Sequence, residues 1–423
     1  MAAMRSLVLL VPLVVGLAAW TLTVPAPPEI ADGEPIPAER LAGSARCGAC
    51  HREIAAEWAS SGHRRAASDE AYRAVLALRR RDAGAQAASA ERHCAGCHEP
   101  IAQLAQVNGA RVNSAQASST PESRDEGVAC LVCHRLEALR RGTTGNGDLV
   151  VRAPRRLADW QIAARTDVHR SDLARPLLSR SEMCAGCHQQ FVDEGRGYFR
   201  LQGTYDEWKM SRYAAGPDAR RCQDCHMPRV ADGRGGHRSH AFARGPHGAV
   251  AARVDAPAQA EAGGAVRLKV SVENRGVGHK FPVGASGTRD VWLEAQVRDA
   301  RGRWLLHTGT LDAQGDVEPA AFALGARPMG EDGAWLYRGD VWNLAGFQHG
   351  AAVFPGTYDS TFYEFTVPAD ATGPLSVVAR LNRRAYTRRF ARFAFGERPD
   401  RWPPVTEIAR GQAVIQVKEK VRR

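Results

Sequence analysis

The sequence predicts two blocks: a mainly α block with long loops over residues 46–254, and an antiparallel β-sandwich over residues 255–423. Three observations carry this. All ten cysteines lie before residue 226, in five evenly built strings. Large aliphatic residues are sparse around those strings, while Arg, Ala and Gly are common. After residue 255 there is no cysteine, and apolar residues begin to alternate with polar ones.

The 423 residues are enough for two or three domains. With 24% charged and 44% hydrophobic residues, and no Gly- or Pro-rich repeat, the chain is neither collagenous, wholly disordered nor a polytopic membrane protein. Lys and Arg exceed Asp and Glu by 57 − 46 = 11. Such a balance fits an anionic partner, and the cysteines indicate which kind.

The N-terminus comes first in chain order. Arg5 is the only charge ahead of an apolar run from Leu7 to Val24. Residues 1–24 read as a signal peptide or a retained membrane anchor; the run exceeds the usual signal core and just reaches a span length. Val24-Pro25-Ala26-Pro27-Pro28 offers no clean cleavage site, so both readings stay open. Residues 25–45 are a Pro-rich tether.

The five strings follow. Cys47/Cys50, Cys94/Cys97, Cys130/Cys133, Cys184/Cys187 and Cys222/Cys225 each enclose two residues. A histidine stands directly after each: His51, His98, His134, His188 and His226. This is the attachment signal for c-type haem. Two thiols about one helical turn apart add to the haem vinyl groups, and the adjacent imidazole becomes the proximal iron ligand. Zinc ribbons also use Cys pairs, but need four ligands per metal and no histidine after each pair. Five two-residue disulfide loops would be poor staples. The sequence therefore implies five covalently bound haem c groups. They would supply the apolar core that the side chains lack. Their propionates would balance the basic surplus, so no nucleic-acid partner is expected. Attachment of this kind takes place outside the cytoplasm, which puts the protein in the periplasm or on the extracellular face, secreted or held by an N-terminal anchor.

Between the strings, Ser68-Asp69-Glu70 reads as a helix start and Thr204-Tyr205-Asp206-Glu207 as a capping box. Arg141–Gly147 and Asp232–Gly248 read as loops. Arg79-Arg80-Arg81 is a candidate docking patch or a solvated face. Glu57-Trp58-Ala59-Ser60-Ser61-Gly62-His63 and Glu207-Trp208-Lys209-Met210-Ser211-Arg212-Tyr213 share the form E-W-x-x-S-x-[HY]. They suggest a duplicated haem-packing helix. In the second copy Tyr213 replaces His63, as if one haem had lost a histidine.

The sixth iron position decides the chemistry, because two histidines make a closed carrier and an open position makes a reactive site. Histidine is the commonest ligand. His63, His169, His240, His247 and His279 are the candidates: His63 ends the Trp58 helix, His240 and His247 crowd the loop after the last motif, and His279 lies in a loop between strands. His237 is less favoured in that loop. His93 points away from its own iron, and His307 and His349 suit the β block. Met183 and Met227 suit packing.

In the β block, Val266, Leu268, Val270 and Val272 define one strand face, and Val291, Leu293, Ala295 and Val297 a second. Phe362–Val367 and Leu375–Leu381 follow the pattern less strictly.

These residues resemble the multihaem c-type cytochrome family that includes the tetrahaem electron acceptor of hydroxylamine oxidoreductase. The resembling pieces are Cys47–His51 with Glu57-Trp58…Ser61-Gly62-His63, Cys94–Pro100, Gly127–His134, Thr204–Trp208 and Cys222–Pro228. Asn274–Pro282 resembles a segment of relatives with an appended β-domain, and there the resemblance implies that His279 faces a haem. Five motifs and a large β block depart from the tetrahaem pattern. No CxxCK string, used by related nitrite reductases, is present. The resemblance implies electron transfer along a haem chain between exported redox proteins or membrane quinol-linked donors. The alternative is an oxidoreductase acting on a small nitrogen or sulfur compound at one open haem. A third reading makes the β block a module that attaches the carrier to an extracellular complex.

Overall fold

The computed structural model describes residues 29–30, 43–106, 126–140, 145–152, 159–193, 198–231, 235–242, 248–284 and 287–418. The leader (1–24), most of the tether, and His247 lie outside these residues. Among the described residues no helix is long and apolar enough to cross a membrane.

The first block consists of short helices. Each motif coincides with a helical turn; in the first, the His51 N–H reaches the Cys47 carbonyl at 2.9 Å, and in the fourth the His188 N–H reaches Cys184 at 2.8 Å. That turn brings both thiols and the histidine to one side. The longest helix, Glu70–Ala83, starts where Asp69 accepts the Tyr72 N–H at 3.0 Å. The helix Thr204–Lys209 lacks the expected capping box: Gly203 is its N-cap, without a side-chain bond. Its Glu207 instead accepts the N–H of Lys280, across the molecule, at 3.1 Å.

The block also holds small β elements that the sequence does not announce. Leu136–Leu139 pairs with Leu149–Val151, Gln190–Asp193 with Tyr198–Gln202, and Arg229–Val230 with His237–Arg238. Each begins two or three residues after the third, fourth or fifth motif histidine and folds the chain back. Strands this short fall below any periodicity window. Ile101, Leu104, Val132, Leu136, Leu149 and Val151 form one aliphatic cluster there, with Met183 packed against it.

The second block has two larger sheets. Tyr358–Thr366, Ala265–Asn274 and Val250–Asp255 form a three-stranded sheet with Ala265–Asn274 in the centre. The strand Val250–Asp255 starts ahead of the expected boundary at 254/255. Trp304–Thr308, Asp290–Arg298, Leu375–Arg384, Thr406–Lys418 and Gln259–Glu261 form a five-stranded sheet in that order. Pairing is antiparallel except at Gln259–Glu261, which runs parallel to Thr406–Lys418. Val270 and Val272 of one sheet meet Val291, Leu293, Ala379 and Leu381 of the other. Burying one such side chain fully contributes about 1.5–3 kcal/mol.

The blocks are knitted together rather than tethered. The helix Arg388–Phe395 packs Phe390 and Phe395 around Ala71. Trp342 donates its Nε1–H to Asp82 at 3.2 Å and lies under Arg79. Arg398 pairs with Glu70. The triple-arginine patch is thus committed: Arg79 covers Trp342, Arg80 pairs with Glu91 and Arg81 lies 3.6 Å from Asp82.

Candidate haem sites

Two imidazoles bound to one iron from opposite sides, each about 2.0 Å from it, hold their ring centres about 6.3 Å apart. Four of the five motif histidines face a second histidine at this separation. His51 faces His169 at 6.3 Å, His134 faces His240 at 6.2 Å, His188 faces His63 at 6.1 Å, and His226 faces His279 at 6.4 Å. The rings are too far apart for mutual contact, yet they remain aligned. That donor set and spacing fit an iron between them.

The imidazoles suit ligation. Burial pushes His63 and His134 down to about 4, so both are neutral, the metal-binding form. His240 sets its ring through Nδ1, 2.8 Å from the Arg238 carbonyl, and His279 through Nδ1, 2.9 Å from that of Lys280.

The fifth motif histidine differs. His98 anchors Nδ1 on the Ala66 carbonyl at 3.0 Å, and the Tyr72 ring lies flat on it, centres 4.2 Å apart. Among the described residues no histidine ring stands across from His98. The Tyr72 hydroxyl donates to the fully buried Glu99 at 2.9 Å.

The thiols place the motifs in space. Cys47 lies within hydrogen-bond reach of Cys130, Cys184 of Cys222, and Cys97 of Cys187, whose electrostatic field also reaches Cys133. The first motif therefore adjoins the third and the fourth adjoins the fifth. The second and third both lie beside the fourth.

The sequence echo marks a structural duplication. Trp58 donates Nε1–H to the carbonyl of Val128, two residues before Cys130, at 2.9 Å; Trp208 donates to Arg220, two residues before Cys222, at 2.8 Å. Glu57 accepts the backbone N–H of His240 at 2.8 Å, and Glu207 that of Lys280, next to His279. Ser44 Oγ accepts from the Cys130 N–H at 3.4 Å and Ser181 Oγ from the Cys222 N–H at 3.1 Å. The first and third motifs are thus joined as the fourth and fifth are. Ser44 and Ser181 each stand three residues before a motif cysteine, a signal open to sequence inspection.

The duplication corrects the expectation about Tyr213. His63 reaches across to the fourth motif, so its counterpart marks no lost ligand at the fifth, where His279 faces His226. Tyr213 instead packs with Trp208 against Gly278, beside His279. A β-carbon at Gly278 would stand 3.4 Å from both rings.

The remaining histidines are occupied elsewhere. His237 lies 3.1 Å from Glu57, His93 lies 3.3 Å from the Gln190 amide, and His307 stacks on Trp304 and contacts Glu294. Two motif glycines have a packing role. Gly96 abuts Gly147, and a β-carbon at Gly186 would stand 2.7 Å from a Leu149 methyl.

This arrangement defines a multihaem c-type cytochrome, with haem held covalently. Comparison agrees at that level. The family model "Cytochrome c554 and c-prime" matches residues 46–135. The penta-heme cytochrome c552 from Thermochromatium tepidum is similar in fold, with a TM-score of 0.60 and 21% identity, over 90% of this chain and 100% of that one. A CARDB domain from Pyrococcus furiosus aligns with 40% of this chain and 87% of its own at 9% identity, but its TM-score of 0.20 carries no argument. No curated protein matches the chain.

Proposed function

We propose that the protein is an exported electron carrier holding five haem c groups, with a β-sandwich that completes the last site. When bound, haem supplies reversible one-electron chemistry. The chain does the rest. Cys47/Cys50, Cys94/Cys97, Cys130/Cys133, Cys184/Cys187 and Cys222/Cys225 fix each group, and His51, His98, His134, His188 and His226 hold the proximal side. His169, His240, His63 and His279 close four of the sites. The observation that supports this reading best is the fourfold repeat of facing histidines at iron-spanning separation. Contiguous attachment points make the row continuous. Cys50 and His51 are exposed, so the first motif is the end suited to contact with an exported redox protein or a membrane quinol-linked donor. Mass spectrometry of mature protein should find five added haem masses and tell whether residues 1–24 remain. Redox titration should be reversible. Fewer than five haems would defeat the count, and an irreversible titration the carrier role.

A second reading is supported by His98 alone. With Tyr72 on its ring and no described histidine opposite, that site is suited to a small nitrogen or sulfur compound. Reduced protein should bind one equivalent of carbon monoxide, lost in His98→Met; zero binding would remove the oxidoreductase reading.

A further inference from the structure

The four facing pairs are not alike. The ring planes of His51/His169, His134/His240 and His226/His279 lie within 19°, 13° and 12° of parallel. Those of His188 and His63 are crossed at 88°. Their hydrogen bonding differs too. His240 and His279 each aim Nδ1 at a carbonyl, and His134 is bonded to the backbone of Leu173. His63 Nδ1 is buried with no hydrogen-bond partner. Across from it, His188 Nδ1 has the Gln202 amide at 3.5 Å, beyond ordinary reach.

Packing must then hold the His63 plane. The Phe242 ring stands edge-on to it, centres 4.1 Å apart and planes at 75°. The same ring reaches His240 at 6.0 Å and 77°. Phe242 sits at φ 53°; it and Asn146 are the non-glycine residues with positive φ among those described. That conformation costs about 1–2 kcal/mol for a residue with a side chain, so the surroundings must hold it.

We infer that Phe242 is a positioning residue that keeps His63 crossed against His188, and that this makes the fourth site the most positive in potential of the four closed sites. The inference rests on reading the facing histidines as iron ligands. Two effects act in the same direction. Parallel imidazole planes split the iron dπ orbitals and favour the ferric state; crossed planes leave the orbitals nearly degenerate and remove that preference. An imidazole whose Nδ1–H donates to a carbonyl is a stronger donor and also favours ferric iron; His63 lacks this bond. The fourth motif adjoins the second, third and fifth, so an electron would rest where the branches meet.

Electron paramagnetic resonance of the oxidised full-length holoprotein tests this. One highly anisotropic low-spin signal, with its largest g value well above the others, should stand beside rhombic ones. In Phe242→Ala that signal should give way to a rhombic one with the low-spin count unchanged, and the most positive step of the redox titration should move down. Absence of the anisotropic signal in wild type, or its persistence in Phe242→Ala, overturns the inference. Should Phe242→Ala not mature, Phe242→Leu should still lower the largest g value, and an unmoved value overturns the inference equally. His63→Ala separates the two levels: no new high-spin haem would refute the ligand pairing itself.

Discussion

Asn274→Ala should loosen the loop that carries His279. Asn274 is 1% exposed and makes three bonds with one side chain. Its amide donates to the carbonyls of His279 at 2.9 Å and Val353 at 3.2 Å, and its oxygen accepts the Val277 N–H at 2.9 Å. A net hydrogen bond contributes about 1 kcal/mol, and more when a buried partner is left unmade, so the loss is about 3 kcal/mol. At about 1.4 kcal/mol per factor of ten, the balance between docked and released loop shifts roughly a hundredfold. The other restraint is Glu207, which holds the Lys280 N–H and lies 3.8 Å from its Nζ. Asn274→Ala combined with Glu207→Gln should therefore release His279 further than either alone. The readout is carbon monoxide stoichiometry on reduced protein, with magnetic circular dichroism counting low-spin haems when oxidised. Release of His279 adds a binding site beyond any present in wild type. If stability falls by the expected amount while stoichiometry and low-spin count stay fixed, Asn274 supports the sheet and does not position the ligand.

Three further outcomes are expected. Gly147→Ala places a β-carbon 2.6 Å from a backbone carbon of Gly96, at a φ of 76°, so haem loading at the second motif should fall, read by peptide mass spectrometry. Trp342→Ala should lower stability by about 3–5 kcal/mol and expose the seam between the blocks to protease, since Trp342 is buried and bonded to Asp82. At Glu318, burial alone would raise the carboxyl, but the hydroxyls of Thr308 and Thr310 and the Gly309 N–H outweigh it and hold it below the usual range. A depressed carboxyl stabilises the fold above its unfolded pKa of about 4.3 and loses that contribution as pH falls through the folded value. Glu318→Gln should therefore lower the melting temperature at neutral pH and flatten its decline in acid.

The parts legible in the sequence are those whose chemistry is local. A CxxCH string carries its thiols and proximal histidine within one helical turn, so Cys47 to His226 can be named from spacing alone. Alternation over Val266–Val272 and Val291–Val297 records a strand with one buried face, and both runs are buried in the structure. The partnering of distant residues was not local. His63 is close in sequence to the first motif yet faces the fourth, and His279 comes from the sheet block to face His226. The E-W-x-x-S echo was visible, but not that Glu57 and Glu207 each steady a loop bearing a facing histidine. Nor could spacing reveal the crossed plane of His63, which depends on a phenylalanine 179 residues away held in a left-handed backbone conformation. Covalent attachment is written in adjacent residues, because the bonds form within a turn. Ring orientation and the facing pairs arise only when remote segments pack, and no short-range pattern encodes which of them will meet.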